Sequence, residues 1–150
     1  MIASIFIIVV SAVLFAYWFR YTCLLILSAQ SSRSYSSEVA AANRLSFIET
    51  RTQLMQDEVA GQLDGLQLAL ARDYRLLSYL LQHAVTYSVN GRPIEERILV
   101  IDYHLMNIWF HLTRGFSRPL ARKALLEMAH IVNHLANAMG ERVAAVASRS

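Results

Sequence analysis

Residues 90–119 read NGRPIEERILVIDYHLMNIWFHLTRGFSRP, and this stretch decides the fold. A turn signal stands at each end. Asn90-Gly91-Arg92-Pro93 joins a glycine suited to a left-handed helix cap with a proline suited to a first helical turn. Arg114-Gly115-Phe116-Ser117-Arg118-Pro119 repeats the arrangement, with Ser117 as the cap. Between them Glu95 and Glu96 favour a helix amino end. Ile94, Ile98, Ile101, Leu105, Ile108 and Leu112 recur in steps of four and three, the stripe of an amphipathic helix. Asp102, His104 and the short length exclude a membrane span here. Short turns imply antiparallel neighbours, so the stretch predicts one arm of a helical hairpin.

The other arm follows Pro119. It carries Ala121, Leu125, Met128, Val132, Leu135, Met139, Val143 and Val146 at helical spacing. Toward the amino terminus, Leu45, Ile48, Met55, Val59, Leu63, Leu66, Leu70, Leu77, Leu80 and Ala84 continue the same rhythm. That pattern predicts one long coiled-coil-like helix over residues 38–88. Roughly 50 residues at 1.5 Å each would span roughly 75 Å. The hairpin is too short to cover such a helix. Leu45, Ile48, Met55 and Val59 would then lie bare and await a partner. A break at Gly61 and Gly65 is the alternative, folding residues 38–60 back into a four-helix bundle. No strand-like alternation competes. The expectation is an all-α chain: one N-terminal transmembrane helix, a long coiled-coil-like helix and an antiparallel helical hairpin, forming a three- or four-helix bundle.

Residues 2–27, IASIFIIVVSAVLFAYWFRYTCLLIL, carry Arg20 as their single charge. A bilayer core takes about 20 apolar residues in a helix. The run is longer than the apolar core of a cleaved signal peptide and no Lys or Arg precedes it, so an uncleaved anchor is expected over residues 1–29. Tyr17, Trp18 and Tyr21 suit a membrane interface, and Arg20 either snorkels to headgroups or meets a partner subunit. Arg20, Arg33 and Arg44 follow the span and none precedes it, which favours an outside amino terminus and a cytoplasmic bundle. Six serines in residues 28–37 predict a polar linker over residues 30–37, ahead of a bundle domain over 38–150.

Composition narrows the function classes. At 55% hydrophobic and 17% charged, the chain does not have the composition of a disordered one. Its single cysteine, Cys23, excludes a disulfide framework and a cysteine zinc site. No phosphate-binding glycine loop, HExxH or nucleophile elbow occurs, so no enzyme, no small-molecule substrate and no cofactor are expected. A net charge of +3 on an anchored chain gives nucleic acid no support.

The histidines are the one chemical lead. Glu127, His130 and His134 share a helix face. Folding the hairpin about its turn brings Asp102 and His104 toward them, which makes these five residues a candidate metal or haem group. Dimetal bundle sites need two Glu-x-x-His units, and only Glu127-Met-Ala-His130 is present. Partner contacts are expected at Arg20, Leu45, Ile48, Met55 and Val59, and at the aromatics Trp109, Phe110 and Phe116, of which the core takes one of Trp109 and Phe110. Arg114, Arg118, Arg122 and Lys123 form a basic group for lipid headgroups or an acidic neighbour. The expected role is a single-pass accessory or scaffold subunit that docks onto other membrane protein subunits in a bilayer. The alternatives are a histidine-based metal or haem sensor and a homo-oligomeric stalk.

Overall fold

The computed structural model describes residues 1–30, 34–56, 62–85 and 94–148. Among these lie six helices and no strand: α1 (Ile2–Gln30), α2 (Ser36–Asn43), α3 (Phe47–Met55), α4 (Leu63–Val85), α5 (Ile94–Thr113) and α6 (Arg118–Ala147). The chain separates into two units, Met1–Arg33 and Ser34–Ser150. It is all-α, an apolar N-terminal helix followed by a helical bundle.

The first unit is α1. No glycine or proline interrupts it. Its Thr22 hydroxyl donates to the Trp18 carbonyl at 2.9 Å, which satisfies that hydroxyl within the helix. Phe15 and Phe19 stack one turn apart. Ile2–Thr22 is long and apolar enough to cross a membrane, and none of that segment is buried by protein.

The second unit is organised by α6, which packs against α2, α3, α4 and α5. A helix with neighbours on several sides needs more than one apolar stripe. α6 supplies it: Ala121, Leu125, Met128, Val132 and Leu135 form one buried row, and Ala124, Ile131, Ala129 and Ala136 widen it. The small residues let neighbouring helices approach closely. Leu66, Leu70, Leu77 and Leu81 of α4, with Phe47 and Leu54 of α3, close the core. The second turn forms where expected: Thr113 O accepts from the amides of Phe116 and Ser117, and Pro119 stands in the first turn of α6, but Ser117 holds the cap position without a side-chain hydrogen bond.

Residues 38–88 are not one helix. Arg44 ends α2 in the left-handed region at φ 53°, and the Leu45 amide reaches back to Ala40 O at 2.9 Å. α3 then starts at Phe47 because Asp73 of α4 accepts from the Ser46 amide at 2.7 Å and from its hydroxyl at 3.3 Å. It ends at Met55, where Gln56 is extended. The Arg122 guanidinium of α6 donates through Nε to Leu54 O at 2.6 Å, satisfying a carbonyl the helix leaves open. Side chains from two other helices thus hold both ends of α3. The proposed break at Gly61 falls outside the described residues, as does the turn at residues 90–93. Gly65 sits inside α4.

These interruptions rotate the apolar pattern. A continuous helix would have left Leu45, Ile48 and Met55 on one bare stripe. Instead α3 buries Phe47, Thr50 and Leu54, spaced three and four apart, against the bundle. Ile48 and Met55 remain exposed, Leu45 is half-buried, and Val59 lies outside the described residues.

Candidate functional site

The outward face of α5 is the largest departure from expectation. The stripe expected to face the bundle faces away from it. Ile94, Ile101, Leu105, Ile108 and Leu112 are each between 53% and 72% exposed, with Ile98 half-buried among them. The inner side is built from Leu99, Tyr103, Phe110 and three polar residues: Glu96, Asp102 and Thr113. Each of those has a partner. Glu96 pairs with Arg142 of α6. The Thr113 hydroxyl donates to Trp109 O at 2.8 Å. Asp102 is held within the bundle side of the helix.

Aromatic contacts fix this rotation. Tyr103 stacks on Tyr74 of α4 with centroids 3.8 Å apart and planes within 5°. Burial pushes the Tyr103 phenol well above its ordinary pKa, with Tyr74 and Asp73 adding to the rise, so it stays neutral. Gln67 donates to Asn107 at 3.0 Å, a further tie from α4 to α5. Phe110 is fully buried, which places it in the core and removes it from the partner surface. Trp109 and Phe116 are the exposed aromatics, at 46% and 77%.

Arg97, His104 and His111 run along one edge of the face at intervals of seven residues. Glu95 and Trp109 stand exposed on the other, while Asp102 between them is turned into the bundle.

The remaining predicted residues separate. His104 is exposed and meets the rings of Tyr74 and Tyr103 edge-on. His130 and His134 are half-buried on α6. Burial first, then Arg51 of α3, lowers the His130 pKa, against a smaller upward pull from Glu127. Burial and then His130 lower that of His134. Asp102, His104, Glu127, His130 and His134 are therefore not assembled: among the described residues no three such groups are arranged to hold a metal. Arg122 serves the end of α3. Arg114 pairs with Asp64 of α4 at 3.0 Å, both side chains well exposed. Arg118 and Lys123 are exposed. Arg20 is half-buried on α1.

The two lowered histidines make stability pH-dependent. Their folded pKa values lie below the unfolded value near 6.5, so their contribution is complete above about pH 6.5 and is lost as pH falls below it. The melting temperature of the full chain in mild detergent should fall between pH 7.5 and 5.5. Replacing both with glutamine should flatten that slope, and an unchanged slope would refute the assignment.

No protein family, no curated protein and no solved structure matches this chain.

Proposed function

We propose that this chain is a single-pass, membrane-anchored scaffold subunit, without catalytic work of its own, that docks onto a larger membrane assembly through the outward face of α5. The observation that carries the reading is the rotation of α5. Three polar residues stand beside Leu99, Tyr103 and Phe110 on the bundle side, while five large aliphatic side chains are exposed on the other. Covering a contiguous apolar face of this kind is favourable by about 25 cal/mol per Å² removed from water, and large patches on soluble domains mark contact surfaces. Trp109 and Phe116 extend the face at its carboxyl end, where exposed aromatics favour interfaces. Arg118 and Lys123 next to them suit headgroups or an acidic partner.

The anchor is Ile2–Thr22. Arg33 and Arg44 after it, with Arg20 near its carboxyl end, support a cytoplasmic bundle with the amino terminus outside. The test is native gel electrophoresis of the full-length tagged protein, extracted from its own membranes in mild detergent. The wild type should migrate in a complex larger than a single copy. The double substitution Ile101→Asp and Ile108→Asp should release the monomer without loss of helical circular dichroism. A wild type that migrates as a monomer, or a variant that keeps the complex, would sink the docking role.

A further inference from the structure

We propose that the turn between α5 and α6 rests on an anionic bilayer surface, with Phe116 set among the headgroups and Arg118 and Lys123 meeting lipid phosphates. This depends on the anchor reading of α1 and not on the docking role of α5. The turn combines apolar and basic exposure. Phe116 is 77% exposed within it, and Trp109 and Leu112 stand exposed on the last turns of α5 before it. Arg114, Arg118 and Lys123 are exposed around them. Aromatic rings settle at headgroup level, and helices that lie on lipid carry Lys and Arg beside Trp, Phe and Leu.

Charge selects the lipid. From residue 97 to residue 126 the chain holds five Arg or Lys and one acidic residue, Asp102, which is turned into the bundle. Asp64 of α4 offsets Arg114, with which it pairs at 3.0 Å. Arg118 and Lys123 remain for phosphates, and each basic residue near an anionic surface adds to the attraction. The occupant need not be found by diffusion. The same chain carries Ile2–Thr22, long and apolar enough to cross a membrane, so a bilayer is held at high effective concentration. The chain enters the bundle at Tyr35, whose amide donates to Asn137 Oδ1 at 2.7 Å. The turn stands at the other end of α6, roughly 30 Å from there at 1.5 Å per residue. Attachment at both ends lays α6 along the membrane surface.

The test uses the full chain, purified alone and reconstituted in vesicles, with Cys23→Ser removing the only native thiol. A fluorophore on Gly115→Cys reports the turn with Phe116 intact. Gly115 is exposed, and nothing lies within 4 Å of its would-be Cβ. Quenching by a nitroxide on the lipid, set against quenching by acrylamide in water, gives the ratio of lipid-facing to water-facing probe. In vesicles of mixed neutral and anionic phospholipid that ratio should exceed its value in purely neutral vesicles by roughly tenfold. Arg118→Glu with Lys123→Glu should return it to the neutral value, and Phe116→Ser should lower it severalfold. A ratio equal in the two kinds of vesicle, or unchanged by the charge reversal, would overturn recognition of anionic headgroups. A probe open to acrylamide and out of reach of the nitroxide in both would overturn membrane contact. Loss of the native complex in the charge-reversed chain would then give the turn to an acidic protein. A chain that does not float with the vesicles would overturn the anchor and this proposal with it. The docking role is judged separately by Ile101→Asp and Ile108→Asp, since neither residue is altered here.

Discussion

Phe110→Ala is expected to destabilise the bundle by about 3–5 kcal/mol, the usual loss for a fully buried aromatic that leaves a cavity. Phe110 is completely enclosed, in company with Leu125, Met128 and Val132 among the largest buried side chains. Trp109→Ala, one position earlier and with a larger side chain, should change stability by less than about 1 kcal/mol, as exposed substitutions do. Trp109 is nearly half exposed and lies on the flank of the outward face. The comparison inverts the ranking that size alone would give. Urea unfolding of the full chain in mild detergent, followed by circular dichroism, measures both. Equal losses at the two positions would place Trp109 in the core and reverse the rotation of α5, and the docking face with it.

That rotation was the part of the fold hardest to read from residues alone. α5 carries two apolar rows with the same alternation of four and three. One is Ile94, Ile98, Ile101, Leu105, Ile108 and Leu112; the other is Leu99, Tyr103, Met106, Phe110 and Thr113. Periodicity identifies the helix, since both rows share its period, but it cannot say which row meets the bundle. Aliphatic content favours the first row. Shape decides for the second, because Tyr103 finds a flat partner in Tyr74 and Glu96 finds Arg142. Each of those contacts joins residues distant in sequence, so neither leaves a local mark.

The helix over residues 38–88 failed for a related reason. Leu45, Ile48 and Met55 keep helical spacing and so predicted one helix through this region, although the backbone turns at Arg44. Arginine is an uncommon residue for a left-handed cap, and nothing in its type announces the turn. What holds it is Asp73, twenty-seven positions away, receiving the Ser46 amide. The second turn was legible because Ser117 and Pro119 stand at the cap and in the first turn of α6, although Ser117 caps by position without a side-chain hydrogen bond and Gly115 takes no positive φ. The histidines show the opposite limit. His130 and His134 share a face of α6, as their spacing requires, but burial disfavours a cation at either, with Arg51 of α3 adding to this at His130 and His130 adding to it at His134.

Gly140→Ala is expected to detach α2 from the bundle. Gly140 is buried on α6 where the chain enters the second unit. A Cβ there would collide with Tyr35 Cβ, stand 3.0 Å from its Cγ and press on Val39 Cγ2 at 3.3 Å. The Tyr35 backbone cannot simply retreat, because its amide donates to Asn137 Oδ1 at 2.7 Å, one turn earlier on α6. Alanine favours a helix interior over glycine by about 1 kcal/mol, and overpacking costs about 1–3 kcal/mol. The second effect wins here, since the obstacle is the root of a side chain held at its own backbone. Its cost falls on Ser36, Val39 and Ala40, which lose their buried positions, while α3 to α6 keep theirs. Trypsin should then cut after Arg44 about tenfold faster, with the main unfolding transition little changed. Gly65→Ala is the control. Nothing lies within 4 Å of its would-be Cβ, so alanine there should stabilise α4 by about 0.5–1 kcal/mol. If Gly140→Ala also stabilised and left Arg44 protected, α2 would not be seated on α6, and the entry of the chain into the bundle would have to lie elsewhere.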